Sequence, residues 1–274
     1  MWGISYWFLP LFSSLVWLAM LLGLLLVWVR DGKPIYETME HGQRIAYISD
    51  VGATDIKPLF IAMAAVSVVS FDIALIAERW LRHSGRLKRN TSLWQKLWSN
   101  LCILFAIVGA AGIILLSIFD TFHHHRLHQI FLGLFIAGYV VSAIFACVEY
   151  QRLGTHYAHL SILRISFWLK LFFIVTEVAL AIAFGALQRV DNWNAAAVLE
   201  WVIALIFTFY LLSFFVDFIP AMHTKHHQSR ETSIAMAEAG EGRNGQANGY
   251  AKGDQGRFTY GNKKSKGRRW FGRR

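Results

Sequence analysis

An all-α fold, a bundle of six membrane-spanning helices with a polar, basic tail behind it, is the class this sequence predicts, and three observations predict it. Six apolar stretches each reach the ~20 residues that a helix needs to cross about 30 Å of hydrocarbon. Of the 274 residues 55% are hydrophobic and 15% aromatic, with mean hydropathy +0.41. The apolar character stops near Pro220 and the remainder is polar. Hydrocarbon offers backbone groups no water, so each span must pair its own N–H and C=O groups, which leaves a helical bundle as the architecture.

The first span covers residues 6–29. It is too long for a signal-peptide core, lacks a basic leader and shows no small-residue cleavage site before Arg30, so it is expected to stay as an anchor. The loop over residues 30–57 holds Ile45, Tyr47 and Ile48, apolar enough to rest on the bundle, while Asp50 and Gly52 are turn formers. Pro58 then opens the second span, 58–78, as the N1 residue, where its missing N–H costs nothing. The third and fourth spans, 98–119 and 128–148, are joined by a turn short enough to force a tight antiparallel pair. Small residues four apart suit close backbone approach there: Ala106 with Ala110, Gly133 with Ala137, Gly138 with Ser142 and Ser142 with Ala146. Cys102 and Cys147 lie near the same ends of these two spans and read as small apolar residues. The fifth and sixth spans cover 162–187 and 195–219, and residues 221–274 form a tail expected to be disordered.

Net charge is +10 and the pI about 9.8, yet the basic residues cluster beside spans and at the C-terminus, which points to anionic lipid rather than nucleic acid. Arg79, Arg82, Arg86, Lys88, Arg89 and Lys96 follow the second span and twelve more basic residues lie in the tail, so both segments, and with them both termini, are expected in the cytosol. Arg30 and Lys33 just after the first span pull the other way. The sequon Asn90-Thr91-Ser92 falls on the expected cytosolic side and should carry no glycan. Trp80, Leu81, Trp94 and Trp98 beside the basic loop would suit an inner-leaflet contact, against ordinary topology-setting charge.

Charges within spans cost about 2.5–3.5 kcal/mol each and need partners or water. Asp72, Lys170, Glu177, Glu200 and Asp217 are those residues. At 1.5 Å per residue Asp72 and Lys170 lie roughly 9 and 12 Å from the cytosolic ends, so an ion pair between spans two and five is expected. Lys170 and Glu177 are two turns apart on one face, which should look into the bundle as structural glue, or as a headgroup or proton path. Glue fits better than a transporter built on Asp72, Lys170 and Glu177, because no inverted repeat is visible.

If helix persists through the turn after span three, Asp120, His124 and His128 share a face at i, i+4, i+8. That face would suit a zinc-activated water in lipid hydrolysis; the plainer account is interfacial histidines capping a turn. No metal, cofactor or catalytic residue is assigned. In the tail, Lys263, Lys264, Lys266, Arg268, Arg269, Arg273 and Arg274 surround Trp270 and Phe271, a combination suited to an anionic leaflet at about 1 kcal/mol per basic residue. Phosphate on Ser265 would weaken it.

Six spans, a long first loop carrying Tyr47-Ile48-Ser49-Asp50-Val51-Gly52 ahead of Pro58 and Phe60, and Phe119-Asp120 with His124 and His128 leading into Gln129-Ile130-Phe131 resemble the FRAG/DRAM/SFK membrane family over most of residues 1–220. The family usually has Thr or a similar polar residue where this chain has Val51. The SFK-like fungal branch fits best. The resemblance implies a family-motif set of Tyr47, Ser49, Asp50, Gly52, Asp120, His124 and His128. It also implies a non-enzymatic regulator of phosphoinositide signalling, lipid organisation or autophagy that supports a phosphatidylinositol 4-kinase and phospholipid asymmetry, the catalysis being left to kinase and flippases. The implied location is the plasma membrane, with endosome or vacuole as alternatives. A related branch remodels GPI anchors, which makes a lipid-remodelling enzyme at the Asp/His cluster the rival reading.

Overall fold

The computed structural model describes residues 6–84, 87, 93–156 and 161–223. All regular structure among them is helical: α1 (Phe8–Arg30), α2 (Ile48–Gly52), α3 (Lys57–His83), α4 (Leu93–Ile118), α5 (His125–His156), α6 (Ser161–Arg189), α7 (Trp193–Ser213) and α8 (Phe215–His223). Six segments are long and apolar enough to cross a membrane, the last running from α7 into α8. The chain is thus a multi-pass integral membrane protein of the predicted class. Helix α3 continues to His83 and α5 to His156, beyond the apolar stretches, and Arg82 and Glu149 of those extensions are buried, as is Glu78 at the edge of the first. Hydropathy marks where apolar character ends, whereas a helix continues wherever its polar residues find partners. Pro58 sits one residue inside α3, which starts at Lys57, and still falls in the first turn, where a proline removes no ladder bond.

The spans close into a ring. Each packs against two neighbours in the order α1, α3, α4, α5, α6, α7 and back to α1. One end of the ring carries the turns after α1, α4 and α6; the other carries the start of α1, the links α3–α4 and α5–α6, and α8. Aromatic side chains fill the middle. Phe71 from α3 meets Tyr139 of α5 at 6.1 Å between ring centroids and Phe214 at 4.9 Å, while Trp17 of α1 meets Phe207 of α7 at 5.3 Å. The Trp17 indole Nε1 donates to the Ala204 carbonyl at 2.9 Å, and reciprocal bonds between Ser13 and Ser67 clamp α1 to α3. Inside a bundle such bonds satisfy polar atoms that lipid cannot.

The tight α4–α5 pair forms, through residues only partly those expected. Ala106, Ala110, Gly138, Ser142 and Ala146 are buried, and the Ser142 hydroxyl donates to the Cys102 carbonyl at 2.8 Å. Gly133 and Ala137 face outward, and a Cβ on Gly133 would meet nothing within 4 Å. The facing glycines are Gly109 and Gly112: a Cβ on Gly112 would lie 2.5 Å from the Phe135 backbone nitrogen, and one on Gly138 2.5 Å from that of Gly109. Cys102 and Cys147 are both buried free thiols.

Candidate functional site

The first loop is folded onto the ring by α7. Asn194 Oδ1 accepts from the backbone N–H groups of Arg44 (2.6 Å) and Ile45 (3.1 Å), and its amide donates to the Gly42 carbonyl at 3.2 Å. Two turns on, the Trp201 indole donates to the Ala46 carbonyl at 2.9 Å, and Glu200 Oε2 accepts from the Ile48 N–H at 2.7 Å. Buried Asp50 caps α2 by accepting from the Tyr47 N–H at 2.9 Å and from Gln43 Nε2 at 3.2 Å. Gly52 is required by close approach, because a Cβ there would lie 2.7 Å from the Phe60 ring. The motif loop is therefore a fitted cap. Asn194 and Trp201 were not singled out from sequence; their signal was a polar residue and a tryptophan seven apart on one helix face.

The continuous helix on which Asp120, His124 and His128 would share a face does not form, although the His124 N–H donates to the Asp120 carbonyl at 3.1 Å and the His128 N–H to the His124 carbonyl at 2.9 Å. Helix α4 ends at Ile118 and α5 starts at His125, so a turn separates them. Asp120 accepts from Lys57 Nζ at 2.5 Å and from the backbone and ring of His123 at 2.7 and 3.0 Å. Burial alone would raise its pKa, but the bonds from Lys57 and His123 outweigh it and hold the carboxyl at about 2. His128 is buried with Nδ1 3.0 Å from the Phe119 carbonyl, and His124 is exposed with its ring edge-on to Phe119. The arrangement closes a helix end and ties α3 to the α4–α5 turn. Among the described residues no three His, Cys, Asp or Glu side chains gather as a metal site.

Beneath the cap lies a cavity of about 110 Å³. Ile48 and Ser49 of α2 border it at the loop end, Tyr139 and neighbouring apolar residues of α5 form one wall, and Glu177 of α6 and Glu200 of α7 reach it from the other side. Glu177 Oε1 and the Tyr139 hydroxyl are buried without a hydrogen-bond partner. None of the lining residues is Lys, Arg or His.

The expected pairing of Asp72 with Lys170 is not formed. Lys170 is fully buried and donates to Asp217 Oδ2 at 2.6 Å and to Ser166 Oγ at 2.7 Å; Ser166 also bonds Asp217. Its ammonium also lies over the Tyr150 and Phe214 rings, 4.5 and 4.2 Å from their centroids. Ring order explains the miss: α6 borders α5 and α7, whereas Asp72 lies on α3, which borders α1 and α4. Asp72 Oδ1 is buried without a hydrogen-bond partner. Next to Lys170 a second cluster assembles, with Arg82 2.6 Å from Glu78 and the Tyr150 hydroxyl donating to Glu78 at 2.6 Å, near Glu149. Arg82 and Leu81 are therefore buried in the bundle rather than presented to a leaflet, while Trp80 and Trp94 are exposed. Arg86, Lys88, Arg89 and the tail residues Lys263, Lys264, Lys266, Arg268, Arg269, Trp270, Phe271, Arg273 and Arg274 lie outside the described residues.

Comparison with known proteins follows the same outline. Residues 5–221 match the model of the Frag1/DRAM/Sfk1/Cwh43P N-terminal domain. The chain is 32% identical to "Protein sfk1" of Schizosaccharomyces pombe, over 81% of this chain and 66% of that one. It is 27% identical to "Protein SFK1" of Saccharomyces cerevisiae, over 81% of this chain and 79% of that one. The chain thus spans about two thirds of the fission-yeast relative's length. No solved structure matches it. The matched segment takes in the first-loop cap, the α4–α5 turn and all six spans, and the chain belongs to the Frag1/DRAM/Sfk1/Cwh43P family, with fungal Sfk1 proteins among its relatives.

Proposed function

We propose that the chain is a non-enzymatic regulator of phosphoinositide signalling and plasma-membrane lipid organisation, which supports a phosphatidylinositol 4-kinase assembly and phospholipid asymmetry. The observation that carries this reading is family membership across residues 5–221. The disposition of the charged residues supports it. Asp120, Asp217 and Glu78 are spent on contacts between elements, as in a scaffold. Both termini face the cytosol, where the basic end of the tail, with Trp270 and Phe271, holds to anionic lipid beside the kinase.

The test is the level of phosphatidylinositol 4-phosphate in the plasma membrane, and of aminophospholipid on the cell surface, in cells lacking the chain. The first should fall and the second rise, and a variant with His124→Ala and His128→Ala should restore both as well as the unaltered chain does. Unchanged lipids on removal would overturn the regulator reading. Rescue by the unaltered chain but not by the histidine variant would move function to the rim and favour lipid or GPI-anchor remodelling.

A further inference from the structure

We propose that the capped cavity is a binding site for an amphiphile whose polar end donates hydrogen bonds, an ammonium or a hydroxyl, on an apolar body. This goes beyond the regulatory reading and stands on the cavity alone.

Size and lining set the apolar part. A cavity of about 110 Å³ admits a group near the size of an aromatic ring or a short run of methylenes. Its walls are aliphatic and aromatic apart from a few polar atoms. The α6 span is the least buried of the six, with 17% of its apolar window buried against 33% to 44% for the other five. Ile136, Val140 and Ala181, which line the cavity on α5 and α6, are only half-buried. The rest of a long ligand therefore has a way out between these two helices into lipid.

Chemistry sets the polar part. Glu177 and Glu200 are both on the wall, and no cation is among the lining residues. One oxygen of Glu200 is already engaged by the Ile48 N–H, whereas Glu177 Oε1 is buried without a partner. A buried acceptor left unpaired in an apolar setting is costly, and a guest that donates to it removes that cost. An ammonium or hydroxyl head does so. A phosphate or carboxylate head would instead bury its own negative charge in an apolar setting with no cation among the lining residues, which low dielectric makes strongly unfavourable. Ile48 and Ser49 of the first-loop cap close the cavity at the loop end.

The experiment uses the purified full-length chain in phosphatidylcholine nanodiscs and a photoactivatable long-chain primary amine carrying its reactive group on the alkyl chain. Labelling should be saturable, map to lining residues such as Ile136 and Ile174, and be displaced by an unlabelled long-chain amine, a long-chain alcohol, or both. Displacement by only one of the two tells ammonium from hydroxyl. A fatty acid of equal length should compete about tenfold less well, the equivalent of one charged hydrogen bond. Glu177→Gln, which keeps the shape, and Ala181→Phe, which fills the space, should each cut labelling about tenfold while the melting temperature holds. Labelling that survives both substitutions, that does not saturate, or that a fatty acid displaces as well as the amine does, overturns the proposal. No kinase is present, so either outcome is independent of the regulatory reading.

Discussion

Asp120 ties the start of α3 to the α4–α5 turn through Lys57 and His123. Its carboxyl is held at about 2 rather than the ordinary 3.8, since bonds from Lys57 and His123 outweigh the effect of burial. A pKa lowered by folding means that its contribution to stability is complete above about pH 4 and is lost as pH falls through about 2. Melting of the detergent-solubilised chain should therefore drop across that window, and Lys57→Gln should flatten the drop; an acid limb unchanged by Lys57→Gln would contradict the assignment. From sequence, Asp120, His124 and His128 were legible as a polar cluster near a span end, but their partners were not. Lys57 lies 63 positions away and reads as an ordinary basic residue at a helix start. His123, outside the i, i+4, i+8 set, bonds Asp120 from within the turn between α4 and α5.

Among elements, the join of α6 to α8 rests on Lys170 and Asp217, both buried and 2.6 Å apart. Removing one partner strands a charge away from water and should cost about 3–5 kcal/mol, while replacing both with apolar residues of similar volume should be close to neutral. Lys170→Met alone should accordingly lower unfolding free energy in detergent far more than Lys170→Met combined with Asp217→Leu. Equal losses in the two variants would show that Lys170 is not paired as described. The spans themselves were legible, because length and hydropathy fix a transmembrane helix without reference to neighbours. Which spans touch was not, and the mistaken Asp72–Lys170 pairing came from matching depth without knowing ring order. Small residues predicted the α4–α5 contact, yet the face was only half identified: Gly133 and Ala137 have the spacing but look outward, whereas Gly109 and Gly112 make the approach.

The described residues form a ring of six spans with an aromatic centre, a fitted cap at one end and a buried ionic cluster at the other. The cap's motif was legible in sequence as a resemblance, and its physical basis was not, because the residues that hold it, Asn194, Glu200 and Trp201, lie about 150 positions downstream on α7. The cavity beneath it had no sequence signature, since it is made by apolar residues of every span together with Glu177 and Glu200. In the proposed role, the molecule organises lipid and partner proteins without altering lipid covalently. The most direct measurement is time-resolved lipid mass spectrometry of sealed vesicles that hold the purified full-length chain with phosphatidylinositol, phosphatidylserine and a GPI-type lipid. Every lipid should keep its starting composition; a cleaved or chain-exchanged product that disappears with His124→Ala would contradict the regulator role.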